Sequence, residues 1–452
     1  MPGPSAVATP GWTSRFAFLM ASIGFAVGLG NIWRFPYATG ENGGGAFVLV
    51  YVATAFVIGV PILIAELMIG RRGGMTPPGS MRTLAVEEGQ SRHWQIVGSM
   101  SMLTAFLIMI TYSVVAGWVL EYLVRALLTG FEGVDGQSAA AAYNQMFGEI
   151  GSLLFWTFLA LFLTGSILFA GVKNGIERAV TVLMPTLFLL MVGLMGYNIT
   201  VGGFSEAVDY LFIPDFSKVN PGMLLAAIGQ AFFSIGVAMA GMMTYGAYLP
   251  RSVSIPRSAM LIVIADTAVA LLAGLVIFPA VFNNGLDPAG GPGLIFKTLP
   301  VAFAQMPGGH LVSVLFFLLL SVAAVTSMVG LTEPLVRWLE EGRDYSRHKS
   351  TALILGSIAA LSTLSVLGYN LLSNLTLAGK DINSLADYVS NQIMLPLGGL
   401  LIAVFIGWFV RRQVSFEELD ISNETLFKLW HFLIRYVVPP TVFIVFVLGV
   451  GW

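Results

Sequence analysis

Three glycines, an asparagine and an arginine interrupt the first apolar stretch of the chain. The stretch Gly24–Pro36 reads GFAVGLGNIWRFP and lies in an apolar segment, residues 14–37, that is long enough to cross a bilayer. Glycine lets the backbone leave the helix, which frees carbonyl and N–H groups that lipid cannot solvate. Carbonyl oxygens suit a hard cation and N–H groups suit a carboxylate, so the stretch predicts a binding site. The glycines alone would equally suit close helix packing, but Asn31 and Arg34 favour a site, since charge at this depth is usually functional.

A second apolar stretch, Gln230–Gly246, carries the same kind of interruption. It reads QAFFSIGVAMAGMMTYG and contains Ser234, Gly236 and Gly241. Interruptions at corresponding positions in two halves of a membrane protein indicate a transport site near the middle of the bilayer.

Asp266 is the most informative acidic residue, because its span, LIVIADTAVALLAGLVIF, contains no lysine or arginine. A lone buried carboxylate is costly unless it is paired or protonated. A bound cation is its natural partner, and a protonated Asp266 hydrogen-bonded to a neighbour is the alternative. Glu66, in an earlier span, is another buried acid.

The composition places these residues in an integral membrane protein, since 56% of the 452 residues are hydrophobic and only 10% are charged. We therefore expect a lipid bilayer around the chain. The net charge of −2 indicates no nucleic-acid partner, and the absence of cysteine excludes disulfides and thiolate metal sites. The four histidines form no HExxH motif, so we expect no enzymatic activity. No pattern in the sequence indicates an oligomeric state.

Eleven apolar spans are predicted, which makes the chain an all-α integral membrane protein. Their limits are about 14–37, 43–70, 94–128, 152–171, 177–198, 222–248, 258–283, 310–340, 351–369, 384–410 and 430–452. With a cytoplasmic N-terminus, seventeen Lys and Arg residues fall inside and four outside, so the C-terminus is predicted outside a cell inner (plasma) membrane. Because spans 1 and 6 are the broken ones, we expect a 5+5 inverted repeat over residues 1–410, with spans 1–5 at about 14–198 and spans 6–10 at about 222–410. Residues 411–452 would then form a cytoplasmic loop and a peripheral span 11.

Several motifs together resemble the neurotransmitter:sodium symporter family, in its bacterial amino-acid branch with the leucine-transporter fold. They are GLGNIWRFPY and ENGGGAF in spans 1 and 2, GVPILIAELMIGRRGG in span 2, GQAFFS and TYGAY in span 6, and AAVTS in span 8. The predicted number of spans, eleven, is similar to that of the multi-hydrophobic amino-acid transporters of that branch. The resemblance implies a sodium-coupled symporter that works by alternating access. An amino-acid-gated sensor or a sodium-conducting channel on the same fold is the alternative.

The resemblance implies two sodium ions. The first site would use the Ala26 carbonyl with side chains of Asn31, Ser234 and Asp266. The second would use the carbonyls of Gly24, Val27 and Ala323 with the hydroxyls of Thr326 and Ser327. For those two hydroxyls, hydrogen bonds to their own helix are the alternative. Tyr51, Gln230 and Ser234 match positions around the chloride of animal members. Asp266 is expected to supply that charge itself, so no chloride requirement is expected.

The resemblance also implies a substrate pocket for an α-amino acid. Its residues would be Phe25, Ala26, Leu29, Gly30, Ile108, Tyr112, Phe233, Gly236, Met239, Ser327 and Leu331. The carboxylate would meet the N–H groups of Leu29 and Gly30, while position 28 is Gly where monoamine members place an aspartate. Because the lining is apolar, we expect a hydrophobic or aromatic L-amino acid. Ordinary core packing is the alternative for this stripe.

Gates and supporting residues follow from the same resemblance. The expected outer gate is Arg34 with Asp387, and the expected inner gate comprises Trp12, Tyr248, Glu333 and Glu341. The family's basic N-terminal partner is missing, since position 9 is Thr, and Arg15 is a candidate substitute. Glu66 would hold the break in span 6. Gly175 and Pro185 would let the start of span 5 unwind, although a simple packing kink is the alternative.

Overall fold

The structure is a computed structural model that describes residues 11–377, 379–421 and 423–450. The described residues form helices and no strands, apart from an isolated bridge between Leu377 and Lys380. Within these described residues, nine helices are long and apolar enough to cross a membrane: span 2, Gly45–Gly73; span 3, Arg92–Leu128; span 4, Ile150–Phe169; span 5, Val172–Val201; span 7, Ile255–Asn283; span 8, Gly309–Arg343; span 9, Arg347–Gly368; span 10, Ile382–Phe409; and span 11, Glu424–Gly449.

Span 1 is broken, as the sequence predicts. Its two parts, Arg15–Ala26 and Gly30–Glu41, meet at an angle of 46°. The first part ends because Val27 adopts an extended conformation, with ψ of 103°. The second part starts with a wide π-helical turn at Gly30–Arg34. The break therefore falls within the glycine-rich stretch GFAVGLG.

Span 6 is also broken, into Pro221–Ile235 and Gly241–Ala247. Between the two helices the backbone is left-handed at Gly236, Ala238 and Ala240, with φ between 61° and 75°. Such values are unfavourable for alanine, so neighbouring groups have to hold them. Glu66 of span 2 does so, because its Oε1 accepts the N–H of Ala238 at 2.5 Å. When the broken spans 1 and 6 are each counted as one crossing, the described residues contain eleven spans, the number that the sequence predicts.

Short helices connect the spans. They are Pro77–Glu87, Gly136–Gly148, Phe204–Phe212, Thr298–Gln305 and Arg412–Leu419, with 3₁₀ turns at Phe216–Lys218 and Gly291–Leu294. Span 5 starts at Val172, five residues before its predicted start, because a π-helical turn at Val172–Glu177 precedes the regular helix Arg178–Val201. The division of the chain into two repeats and a peripheral segment stays a prediction.

Candidate substrate and ion site

A small cavity of about 20 Å³ lies between the two helix breaks. Ten of the eleven predicted pocket residues line it: Phe25, Ala26, Gly30, Ile108, Tyr112, Phe233, Gly236, Met239, Ser327 and Leu331. Gly28 is the eleventh lining residue, whereas the predicted Leu29 lines a larger cavity above. We call the small space the central cavity. Its lining is mostly apolar, which favours a hydrophobic group. Its volume is enough for about one water molecule, so an amino-acid side chain would enter only if the lining moved apart.

Gly28 sits where no side chain has room. A Cβ atom there would lie 2.2 Å from Ser327 Oγ and 2.7 Å from the Tyr112 hydroxyl. The Tyr112 hydroxyl accepts the N–H of Leu29 at 3.0 Å, so this N–H is already paired. The two hydroxyls and the bare backbone of position 28 thus form a polar end to the cavity.

Asn31, Ser234 and Asp266 form a buried polar cluster beside the break in span 1. Asn31 Nδ2 lies 2.9 Å from Ser234 Oγ and 2.7 Å from Asp266 Oδ1, and its Oδ1 accepts the N–H of Gly28 at 3.1 Å. Ser234 Oγ lies 2.9 Å from Asp266 Oδ2. All three side chains are at most 1% exposed. The structure thus brings together the three predicted side-chain ligands of the first sodium ion.

Of the two further residues predicted near this cluster, Tyr51 joins it and Gln230 does not. The Tyr51 hydroxyl lies 3.1 Å from Ser234 Oγ and 3.3 Å from Asp266 Oδ2. Gln230 instead donates its side-chain N–H to the carbonyl of Gly30 at 2.7 Å. Within the described chain no lysine or arginine forms an ion pair with Asp266. The carboxylate is held by neutral donors alone.

A second group of oxygen atoms lies where span 8 meets span 1. Ser327 Oγ is 3.3 Å from both the Gly24 and the Val27 carbonyl oxygens. The Thr326 hydroxyl donates to carbonyls of its own helix, those of Val322 at 3.0 Å and Ala323 at 3.1 Å. All five predicted ligands of the second ion are therefore close together. The Thr326 hydroxyl bonds to its own helix, which was the alternative to ion binding for this side chain.

A larger cavity of about 590 Å³ lies above the central one, and the two share Ile108, Tyr112 and Phe233. We call it the outer cavity, after the predicted orientation. Arg34 and Asp387 both line it. The Arg34 guanidinium lies over the Phe233 ring at 4.5 Å, and Asp387 accepts a hydrogen bond from Asn391 at 2.6 Å. Among the described residues the expected Arg34–Asp387 ion pair is not formed, although both residues line the same cavity.

The opposite end is closed by an aromatic cluster and two ion pairs, which we call the inner plug. Trp12 donates its indole N–H to the Tyr245 carbonyl at 3.1 Å and packs edge-on against Tyr248, with 5.9 Å between ring centroids. The Tyr248 hydroxyl donates to Glu333 at 2.9 Å. The side chain of Glu333 is fully buried and pairs with Arg347 at 2.5 Å.

Arg337 forms the second ion pair of the inner plug. It contacts Glu341 at 2.6 Å and lies over the Tyr248 ring at 4.4 Å. Glu341 also accepts the N–H of Thr76 at 2.9 Å. Arg337 and Arg347 were not predicted from the sequence, where the basic partner of the inner gate was expected in the N-terminal segment. Arg15 is exposed and forms no ion pair within the described residues, and Thr9 lies outside them.

The predicted hinge in span 5 lies beside the inner plug. Gly175 belongs to the π-helical turn, and Pro185 lies inside the helix that follows. A Cβ at Gly175 would lie 1.9 Å from the Ile167 carbonyl oxygen, so the glycine permits close packing on span 4. Glu177 in the same turn accepts the backbone N–H of Thr13 at 3.4 Å and also the Thr13 hydroxyl. This contact joins the N-terminal segment to span 5.

Comparison with known proteins explains this arrangement. The sequence model of the Sodium:neurotransmitter symporter family matches residues 9–132 and 137–451. The chain belongs to this family. It is also similar to the solved structure of MhsT in complex with L-phenylalanine, with a TM-score of 0.91 and 39% identity over 97% of this chain and 99% of that one.

Two relatives in the family are similar over nearly their whole length. An uncharacterized sodium-dependent transporter of Haemophilus influenzae is 33% identical, covering 96% of this chain and 97% of its own. The sodium-dependent transporter YhdH of Bacillus subtilis is 35% identical over 97% of both chains. The protein is therefore a multi-pass membrane transporter of a sodium-dependent family, and not an enzyme. The predicted family and fold are confirmed.

Proposed function

We propose that the protein imports hydrophobic or aromatic L-amino acids together with sodium, by alternating access and without chloride. The observation that carries this proposal is the central cavity, a mostly apolar space with a polar end at Gly28, whose lining includes Ala26 and Ser327 of the two groups of oxygen atoms proposed to bind sodium. The resemblance to MhsT, which was solved with L-phenylalanine, supports an amino acid as the substrate.

The polar end of the cavity suits the two charged groups of an amino acid. The Tyr112 hydroxyl uses its oxygen to accept the Leu29 N–H at 3.0 Å, which leaves its own hydrogen to donate to a substrate carboxylate. The carbonyls of Ala26 and Phe233 are the acceptors proposed for the ammonium group. An amine with no carboxylate would leave this donor and the nearby sodium without a partner, which disfavours it.

Sodium coupling would arise because the substrate carboxylate completes the first ion site. Asn31, Ser234 and Asp266 would supply the remaining oxygens, together with the Ala26 carbonyl. Ser327, Thr326 and the carbonyls of Gly24, Val27 and Ala323 would hold the second ion. The first sodium would join the two parts of span 1 to spans 6 and 7, and the second would join the first part of span 1 to span 8, so binding would favour one conformation.

Chloride independence is proposed because Asp266 occupies the place of an anion. The hydroxyls of Tyr51 and Ser234 both lie within 3.3 Å of its carboxylate. A chloride ion would need the same donors and would be repelled by the carboxylate.

A binding experiment tests the substrate class and the role of Asp266 together. Purified protein would be titrated with labelled Leu, Phe, Tyr and Trp in sodium or potassium, with chloride or gluconate. We expect saturable binding that needs sodium and ignores chloride. In Asp266→Asn we expect sodium affinity to fall by at least about tenfold or chloride to become necessary, because one full charge is lost from the ion site.

The matched control is Asp135→Asn, which removes one carboxylate from an exposed helix cap outside the spans. This control should bind as the unchanged protein does. Unaltered sodium and chloride responses in Asp266→Asn would contradict the charge-substitute role, and binding that ignores sodium would contradict the coupling.

We also propose that the N-terminus is cytoplasmic and the C-terminus outside, and that residues 1–410 form the inverted repeat. The charge bias of the loops supports this orientation. Labelling of single cysteines placed in the 129–151 loop and in the 74–91 loop of intact cells would test it, since the first should react with an impermeant reagent and the second should not.

A further inference from the structure

An apolar groove runs between spans 4 and 9 on the outside of the helix bundle. Its volume is about 250 Å³. Phe158, Phe162 and Phe169 of span 4 form one wall, and they are 42%, 70% and 37% exposed. In the most apolar stretch of each of these two spans only 39% of the residues are buried, against 83% in span 8. The groove therefore faces the hydrocarbon of the bilayer.

The other wall is built from small residues, Ala352, Gly356 and Ala359, at helical spacing on span 9. At Gly356 an added Cβ would meet no atom within 4 Å. At Gly165, across the groove, the space is already taken by the Leu355 side chain, 2.7 Å from such a Cβ. The position of Gly356 is thus open space that the protein's own side chains leave free.

His348 and Lys349 lie at the start of span 9, about one helical turn before Ala352 of the groove wall. The His348 ring stacks on Phe169, with 5.6 Å between centroids. Lys349 is exposed, and its ammonium lies 3.6 Å from the centre of the Tyr345 ring. Within the described residues it pairs with no carboxylate, whereas the neighbouring Arg347 pairs with Glu333 and Glu340. Lys349 thus leaves a positive charge at the end of an apolar groove.

We propose that this groove binds one acyl chain of an anionic phospholipid, whose phosphate lies at His348 and Lys349. Hydrocarbon fits the lining, and the free ammonium and the first turn of span 9 attract an anion. A second copy of the chain fits less well, because a two-fold interface centred on this groove would bring the two Lys349 ammonium groups near the axis, where they repel each other. The proposal goes beyond the transport function and does not depend on it.

Native mass spectrometry of the purified, delipidated protein tests the site. Phosphatidylglycerol or phosphatidylcholine with identical chains would be added in steps. We expect one phosphatidylglycerol molecule to bind at least about tenfold more tightly than further copies. Gly356→Leu should remove this high-affinity molecule, because its side chain fills the open groove. Lys349→Gln should remove most of the preference for phosphatidylglycerol over phosphatidylcholine.

Gly193→Leu is the matched control, since Gly193 is also exposed in a span and its added Cβ also meets nothing within 4 Å. It should bind lipid as the unchanged protein does. Equal loss in both glycine variants, or no loss in Gly356→Leu, would overturn the proposal. A dimer that only Gly356→Leu disrupts would overturn it in favour of self-association. Should Gly356→Leu not fold, Ala352→Leu, one turn earlier on the same exposed wall, decides between the same outcomes.

Discussion

The outer cavity and the inner plug use the same kinds of side chains in opposite arrangements. At the outer cavity Arg34 lies over Phe233 while Asp387 stays unpaired with it across a space of about 590 Å³. At the inner plug Arg347 pairs with Glu333 at 2.5 Å, beneath an aromatic cluster that excludes water. An ion pair in water contributes little, whereas a buried pair is costly to break once made. The difference indicates a conformation that is open at the outer end and locked at the inner end.

Arg347→Gln should have the largest effect on this asymmetry. It leaves the buried Glu333 carboxylate without its cation, a change that typically costs about 3–5 kcal/mol in the locked state. We expect the inner plug to open in most molecules. Because the chain has no cysteine, spin labels on Arg15→Cys and Lys349→Cys would be the only ones, and their distance distribution should gain a longer population.

The control for this prediction is Lys428→Gln, which breaks an exposed ion pair with Glu424 on span 11. It should leave the distances unchanged, since wet pairs contribute about 0–1 kcal/mol. An unchanged distribution in Arg347→Gln would show that the aromatic cluster alone closes the inner end.

Arg34→Gln should weaken closure of the outer cavity. The variant loses the guanidinium over Phe233, worth about 0.5–2 kcal/mol, and the pairing with Asp387 that closure would allow. We expect the apparent affinity for the labelled amino acid to fall by about tenfold in a sodium-dependent titration. Arg125→Gln is the control, because Arg125 lies over Phe131 at 5.6 Å, away from the residues that line the outer cavity. Equal losses in both variants would argue against a gate.

Pro185→Ala should slow the step that releases sodium inward. Alanine would supply the N–H that proline lacks, so the start of span 5 would unwind less readily. We expect turnover to fall by a few-fold while sodium affinity stays the same. This variant is cleaner than one at Gly175, where a Cβ would clash with the Ile167 carbonyl. Pro440→Ala in span 11 is the control, and normal turnover in Pro185→Ala would leave Pro185 as a packing kink.

Thr13→Ala should have the smallest effect. It removes the hydroxyl that contacts Glu177 but keeps the backbone N–H at 3.4 Å. A single hydrogen bond of this kind contributes about 0.5–1.5 kcal/mol. We therefore expect only a small increase in the population with the longer distance between the spin labels at positions 15 and 349. Thr13→Ser keeps the hydroxyl and should restore the original distribution. Equal distributions in all three proteins would mean that the contact does not help to lock the N-terminal segment.

Much of the central region could be predicted from the sequence because it contains polar residues and glycines within otherwise apolar spans. Glycines, Asn31 and Asp266 are unfavourable in apolar spans unless something binds there, so they stand out. The structure places Asn31, Ser234 and Asp266 within hydrogen-bond distance of one another. Glu66 likewise reaches the break in span 6.

The basic residues of the inner plug could not be predicted in the same way. Arg337 and Arg347 lie near a loop, where basic residues are ordinary, and their partners depend on how spans 8 and 9 turn. Arg347 reaches Glu333 from fourteen residues further along the chain, across the end of one helix and the start of another. The number of residues between Glu333 and Arg347 does not by itself predict this contact. The central cavity is lined by Gly28, whereas Leu29 was predicted to line it. This difference also could not be predicted, because the direction of a side chain at a helix break does not follow helical periodicity.

Simultaneous measurement of sodium and amino-acid fluxes tests whether the protein transports the two together. Proteoliposomes containing the protein would receive labelled sodium and a labelled hydrophobic amino acid on one side, with chloride or gluconate as the anion. We predict amino-acid accumulation above the external concentration, a fixed ratio of sodium to amino acid, and no change when gluconate replaces chloride. Sodium flux without amino acid, or amino-acid uptake that continues without sodium, would contradict it.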